Sequence, residues 1–269
     1  MNGTHTPPPV VAGIDGSETA IRAAQWAIDE AISRSATLRL VYVTKATHPS
    51  AEEYQADVSH GKASLRTAQT AIEAVERPVK VETAIVAGPP GAAFVEESVD
   101  AGLICVGSAG ISRYATAILG STATELAEKS HCPVAIIRPP DDKGTPRDIR
   151  WIVVAVNDEP DNSAVVKQAM DEAKLRNAPV LAVGERDTLR GTHEGLDSEV
   201  PKWRQCYPDV HIYPVADQSD VASFLKNHDE RVELAVIGGS EADQLARIIG
   251  PFGHPLLHHS ECSVLVVRA

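Results

Sequence analysis

Aromatic side chains are scarce, with 3 Phe, 3 Trp and 5 Tyr among 269 residues, and only 2 Met. The core must therefore be built from Val, Ile, Leu and Ala, which suits a parallel sheet whose strands are buried on both faces. Cations are outnumbered as well. Lys and Arg total 25 against 37 Asp and Glu, a net charge of −12. That balance excludes a general role on nucleic acid or an anionic membrane, because such surfaces need clustered positive charge. It leaves room for a local anion site made of backbone N–H groups. No apolar run approaches the roughly 20 residues of a transmembrane helix. The opening MNGTHTPPPVVAGID has neither the basic start nor the apolar stretch of a secretory signal, so no signal peptide is expected. Cys105, Cys132, Cys206 and Cys262 show no CxxC spacing. Cys105 lies in an apolar run and reads as a buried thiol, and Cys132 and Cys262, each just before an apolar run, read as packing residues. A reducing cytosol is the expected compartment.

Other chemistries lack their residues. A Walker A loop needs GxxxxGK[ST], yet the sole Gly-Lys pair, Gly61-Lys62, has neither the earlier glycine nor the hydroxyl in place. GxGxxG is absent after the first apolar run, which disfavours a dinucleotide site, and neither HExxH nor GxSxG occurs. A phosphorelay receiver would need clustered acids near the first strand and a lysine after the fifth, where Arg138-Pro139 stands. His254 and His258 share a helical face beside His259, but spacing fixes no carboxylate or cysteine partner for them, so no metal is assigned.

At 269 residues the chain suits one large domain or two of about 130. The apolar run Val10–Ile14 is stopped by Asp15-Gly16-Ser17 and reads as a strand. Ala20, Ala24, Ala27, Ile28 and Ala31 then recur at helical spacing, and their small side chains let that helix lie close on a sheet. Leu38–Val43 reads as a second strand, 50–76 as a long surface helix and Val79–Val86 as a third strand. Gly88-Pro89-Pro90-Gly91 reads as a turn, followed by a helix over Ala92–Ala101 and strands at Leu103–Val106 and Val134–Ile137. Alternating strands and helices imply right-handed parallel crossovers, helices on both faces, and a ligand crevice beyond the carboxyl ends of the strands where their order reverses.

The stretch 103–138 carries the chemistry. A strand ends at Gly107, Gly110 follows after two intervening residues, and nine more residues lead to Gly120-Ser121 at the start of a helix. Glycines admit a ligand close to the backbone, and a helix start offers unpaired N–H groups at a positive dipole end, so the stretch reads as a phosphate cradle. Asp15 would face it across the crevice. Two plainer readings stand beside these: Asp15 as a turn residue and Ser121 as an N-cap. Arg113, inside the loop, reads either as a solvated side chain or as a phosphate contact.

After the Pro-, Gly- and charge-rich segment 138–150 the pattern restarts. Ala169-Met-Asp-Glu-Ala173 echoes Ala27-Ile-Asp-Glu-Ala31, Leu234–Gly238 echoes Ile104–Gly107, and Glu261-Cys-Ser-Val264 echoes His131-Cys-Pro-Val134. Repeated echoes in one order mark an internal duplication. Domains are expected over 1–140 and 150–269, joined by 141–149. The second copy departs from the first at the site: Asn157 replaces Asp15, Glu241 stands where Gly110 would be, and Gly250-Pro251 replaces Gly120-Ser121. Gly88-Pro89-Pro90 has no counterpart near Asp217–Val221. A carboxylate about 4 Å from a phosphate charge repels it by about 1–4 kcal/mol, depending on the dielectric, and Pro251 removes a donor. This copy should bind triphosphate poorly unless Glu241 turns away or a metal bridges it. A helix within 184–205 is not assured by the pattern.

Gly107-x2-Gly110-x9-Gly120-Ser121, with Gly13-Ile-Asp15-Gly-Ser17 earlier in the same repeat, resembles the universal stress protein family, and the resemblance extends over both halves as a tandem arrangement. It implies two five-stranded parallel sheets in the order 3-2-1-4-5, Rossmann-like and akin to the adenine nucleotide alpha hydrolases, and an internal pseudo-dimer of the two domains with room for a homo-oligomer. It implies ATP, with or without Mg2+, as the ligand. Gly13 and Asp15 would lie near the adenosine, Val43 would touch adenine through its backbone, and Gly88 and Pro90 would shape the wall. Gly107 and Gly110 would admit ribose and phosphates, and Gly120, Ser121, Thr122 and Arg113 would meet the phosphates. The leading expectation is a cytoplasmic stress-response protein regulated by ATP through conformation or an unknown protein partner. A slow ATPase or adenylate-processing enzyme and a nucleotide-indifferent scaffold are the alternatives. Beyond Asp15, which the resemblance places near the adenosine, no base is positioned by the sequence to activate water, so no residue is assigned a catalytic role.

Overall fold

A computed structural model describes residues 6–109, 119–138, 150–184, 195–217, 220–228, 230–249 and 262–268. The chain divides into two units, Met1–Pro139 and Pro140–Ala269. The proposed linker 141–149 lies outside the described residues, as do Gly110, Arg113, Pro251, His254, His258 and His259.

In the first unit, β1 (Val10–Ile14), β2 (Leu38–Thr44), β3 (Val81–Ala87), β4 (Leu103–Gly107) and β5 (Val134–Ile137) form parallel ladders in the order β3-β2-β1-β4-β5. This is the expected order, and it reverses between β1 and β4. Every residue of β1 and β5 is buried, whereas β3, at the sheet edge, is largely exposed or half-buried. Helix α1 (Glu18–Ser33) packs with α2 (Ala51–Glu73), and α3 (Pro90–Glu97) with α4 (Ser121–Lys129). Right-handed crossovers put one pair on each face of the sheet. The alanines of α1, with Ile28, are buried against the strands. Ser17 caps α1 by accepting the Ala20 N–H at 3.2 Å. Helix α3 starts inside the stretch expected to be a turn, because Pro90 takes its first position, where a missing N–H costs nothing.

The second unit repeats the plan. β6 (Trp151–Val156), β7 (Val180–Gly184), β8 (Ile212–Ala216), β9 (Val232–Gly238) and β10 (Ser263–Val267) lie in the order β8-β7-β6-β9-β10, all parallel. Helices α5 (Asn162–Arg176), α6 (Leu196–Cys206), α7 (Val221–Asn227) and α8 (Leu245–Ile249) connect them, and a 3-10 helix over Gly239–Gln244 follows β9. Helix α6 settles the uncertain segment at 11 residues, against 23 in α2.

The Asp-Glu-Ala echo has a structural cause. Glu30 and Glu172 are 0% and 1% exposed, and each is paired one turn on with an arginine, Arg34 and Arg176. A buried carboxylate needs such a partner, so both repeats keep it. Cys105, Cys132 and Cys262 are buried and Cys206 is exposed, with no disulfide among them.

Gly61, in the middle of α2, allows the helix backbone to rest on Tyr42. A Cβ there would lie 2.6 Å from Cδ1 of the Tyr42 ring. Gly61→Ala, which would gain about 1 kcal/mol in an exposed helix, is instead expected to destabilise by about 1–3 kcal/mol through overpacking. The midpoint of chemical denaturation measures this, and a rise would contradict the packing argument.

Candidate functional site

The reversal of strand order places the carboxyl ends of β1 and β4 beside a cavity of about 310 Å³. Of the residues singled out from the sequence, Gly13, Asp15, Val43, Pro90, Gly107, Gly120, Ser121 and Thr122 line it, and Gly88 is not among the lining. Gly88 has φ +150° with nothing within 4 Å of a Cβ, so its requirement is one of backbone conformation.

Asp15 follows β1 directly. Its Oδ1 accepts the Ser17 N–H at 2.9 Å, which folds the chain into the start of α1, and it is the sole carboxylate among the described lining residues. The turn reading of Asp15 holds, and the same residue lines the cavity. Across the cavity, the N-cap of α4 is Gly120 and not Ser121, and no side chain caps the helix. Gly120 is held by its N–H to the Ser108 carbonyl at 3.0 Å, and its own carbonyl takes the Thr124 N–H at 3.0 Å. The first N–H groups of α4, on Ser121, Thr122 and Ala123, consequently have no intrahelical acceptor, and these three residues face the cavity. An anion completes such an arrangement.

Two glycines of the site are explained by protein neighbours. A Cβ on Gly13 would lie 2.9 Å from the tip of the Phe94 ring, and one on Gly107 would lie 2.9 Å from the Thr19 side chain. Thr19 in turn donates its hydroxyl to the Ala109 carbonyl at 2.5 Å, tying the start of α1 to the segment that leaves β4. Tyr42, Phe94 and Ser17 also line the cavity. Sequence reasoning did not single them out as site residues. Tyr42 adjoins Val43 at the end of a strand, and that position was its only signal. Its phenol is pushed up to about 12, chiefly by burial and then by the neighbouring Asp57 and Asp15 carboxylates.

The second unit builds the matching place differently. Asn157 follows β6 and its Oδ1 accepts the Glu159 N–H at 3.1 Å, which reproduces the Asp15 turn. Its amide nitrogen, a donor that aspartate lacks, reaches Glu241 Oε1 at 3.1 Å. Glu241 is 7% exposed; Oε1 also accepts from Gln244 at 3.0 Å, and Oε2 accepts the Gly238 N–H at 3.1 Å. Burial pushes its carboxyl above the ordinary range despite these donors. Glu241 thus turns inward, and donors at the ends of β6 and β9 are spent on the protein's own carboxylate. Aspartate-to-asparagine at the turn and glycine-to-glutamate after the late strand are one coupled change.

Among the described residues no helix is long and apolar enough to cross a membrane, and no group of three or more His, Cys, Asp or Glu could hold a metal ion.

A model of the universal stress protein family matches residues 8–138. The universal stress protein Rv2624c of Mycobacterium tuberculosis is 56% identical over 268 residues, covering 99% of this chain and 98% of that one. The universal stress protein Rv3134c of the same species is 33% identical over 270 residues, covering 97% and 96%. Among solved structures, a universal stress protein from Archaeoglobus fulgidus superposes with a TM-score of 0.69 at 15% identity, covering 97% of this chain and 96% of that one, a likeness of fold.

Proposed function

The chain belongs to the universal stress protein family, and we propose that its first unit binds an adenine nucleotide, ATP, so that occupancy regulates conformation or the affinity for a protein partner. One observation carries the reading: the uncapped start of α4 and Asp15 face one cavity of about 310 Å³, within the range of small-ligand pockets. The N–H groups of Ser121, Thr122 and Ala123 suit the phosphates, with Gly120 as the turn that presents them. Asp15 Oδ2 suits a ribose hydroxyl, because its Oδ1 is already committed to Ser17. Val43 and Pro90, which also line the cavity, suit the base. Gly110 and Arg113 belong to the phosphate side of this proposal by their place in the sequence. Mg2+ would enter with the phosphates.

The second unit is proposed to be the partner-binding or structural half, because Glu241 takes up the donors at the ends of β6 and β9. Regulation is favoured over turnover, since the lone carboxylate among the described lining residues is engaged in a turn.

Denaturing the freshly purified protein and counting the released small molecule per chain tests both statements. One adenine nucleotide per chain is expected. Two would overturn the asymmetry, and none, together with no ATP-dependent rise in melting temperature, would overturn nucleotide binding.

A further inference from the structure

Three groups from β2 and the connection after it converge on one carboxylate of α2. Tyr42 donates its hydroxyl to Asp57 Oδ1 at 3.1 Å. Asp57 Oδ2 accepts the Lys45 N–H at 3.0 Å and lies 2.8 Å from His48 Nε2. The His48 and Asp57 side chains are 7% and 18% exposed, and the His48 hydrogen bond is the main reason the Asp57 carboxyl sits below its usual range. Tyr54 meets the His48 ring edge-on, and His60 meets Tyr42 the same way. The Tyr42 ring also rests on the backbone of Gly61 in the same helix.

Val43 and Thr44 run between these anchors. Thr44 is fixed toward β3, donating its hydroxyl to the Val86 carbonyl at 3.2 Å and accepting the Gly88 N–H at 2.9 Å. Along β2 the peptide groups alternate between neighbours: the Leu38 N–H goes to Lys80 on the β3 side, so odd-numbered residues turn toward β1. Pairing with β1 stops at Ile14 opposite Tyr42. The Val43 carbonyl therefore turns toward the cavity that Val43 lines, one step beyond the last residue of β1. A carbonyl there accepts from the exocyclic amino group of adenine, whereas the keto oxygen of guanine would oppose it, acceptor against acceptor.

We propose that Asp57 is a positioning residue that sets base selectivity by holding Tyr42 and the Lys45–His48 segment, and so the Val43 carbonyl, in place. The proposal rests on the nucleotide reading above. In the second unit Gly184 holds the place of Tyr42, pairing with Val156 as Tyr42 pairs with Ile14, and so offers no hydroxyl there.

The test is calorimetric titration of the full chain with ATP and separately with GTP, in wild type, Asp57→Ala and Asp57→Asn, beside the melting temperature of each unliganded protein. Wild type should prefer ATP. In Asp57→Ala, ATP affinity should fall about tenfold while GTP affinity stays within about twofold, so that the ratio collapses toward one. Asp57→Asn, which keeps one acceptor and the shape, should fall between, and it serves as the probe if the alanine variant fails to fold. A preserved ratio overturns the proposal, and so does an equal loss for both nucleotides, the mark of a merely structural role. Wild type binding neither nucleotide would take down the nucleotide reading and this proposal together. Wild type binding ATP with unchanged variants would take down only the brace.

Discussion

Replacing Gly107 by valine is expected to lower stability by about 3 kcal/mol, at the upper end of overpacking costs, and to remove measurable binding of ATP. Gly107 closes β4 directly under the first turn of α1. A Cβ there would come within 2.9 Å of the Thr19 Cβ and Oγ1 and 3.0 Å of its backbone carbonyl carbon. Backbone cannot swing aside as a side-chain tip can, so the start of α1 must lift. The lift would break the Thr19 bond to the Ala109 carbonyl and carry away Ser17 and Asp15, which are linked through the Asp15 turn. One wall of the cavity would then part from the other. Chemical denaturation gives the stability and calorimetry gives the affinity. A variant with the wild-type midpoint and wild-type affinity would show that α1 does not rest on this glycine.

Glu241→Ala is expected to destabilise the second unit by about 2–4 kcal/mol, because buried donors left without an acceptor cost about 1–3 kcal/mol each. The Gly238 N–H and the Asn157 and Gln244 amides all lose their acceptor at once. A gain from removing a poorly solvated carboxylate offsets part of this. That same carboxylate gives a second readout. Burial raises its pKa above the ordinary 4.5, so between the two values the folded chain holds more protons than the unfolded one. The associated stability is fully present below the unfolded pKa and is lost as pH rises through the folded one. Wild type should therefore show a decline in stability upward from about pH 4.5 that Glu241→Ala lacks. Identical pH–stability profiles would mean that Glu241 ionises freely and is not enclosed as described.

The two expectations explain why one repeat was easier to read than the other. In the first, a glycine spacing and an aspartate after the first strand are local patterns. They stand for backbone conformation and helix-start chemistry, which depend on neighbours in sequence. In the second, the departures at Asn157 and Glu241 were visible, but the direction in which Glu241 points was not. The two residues are 84 positions apart, and their bond depends on β6 and β9 lying side by side.

The strand order came with the family resemblance, whereas the α/β class and the duplication were set by the sequence itself. These follow from apolar periodicity, from small residues at helix–sheet contacts, and from motifs whose members are close along the chain. Only the tertiary structure decided that Gly120 and not Ser121 caps α4, because the cap is set by where the chain turns and not by which residue favours the position. It alone placed Thr19 over Gly107 and Phe94 over Gly13, joined Tyr42, Lys45 and His48 on Asp57, and turned Glu241 inward. Each is a contact between elements, fixed by ladder register and helix rotation, and a period along one element carries no record of what the next element brings against it.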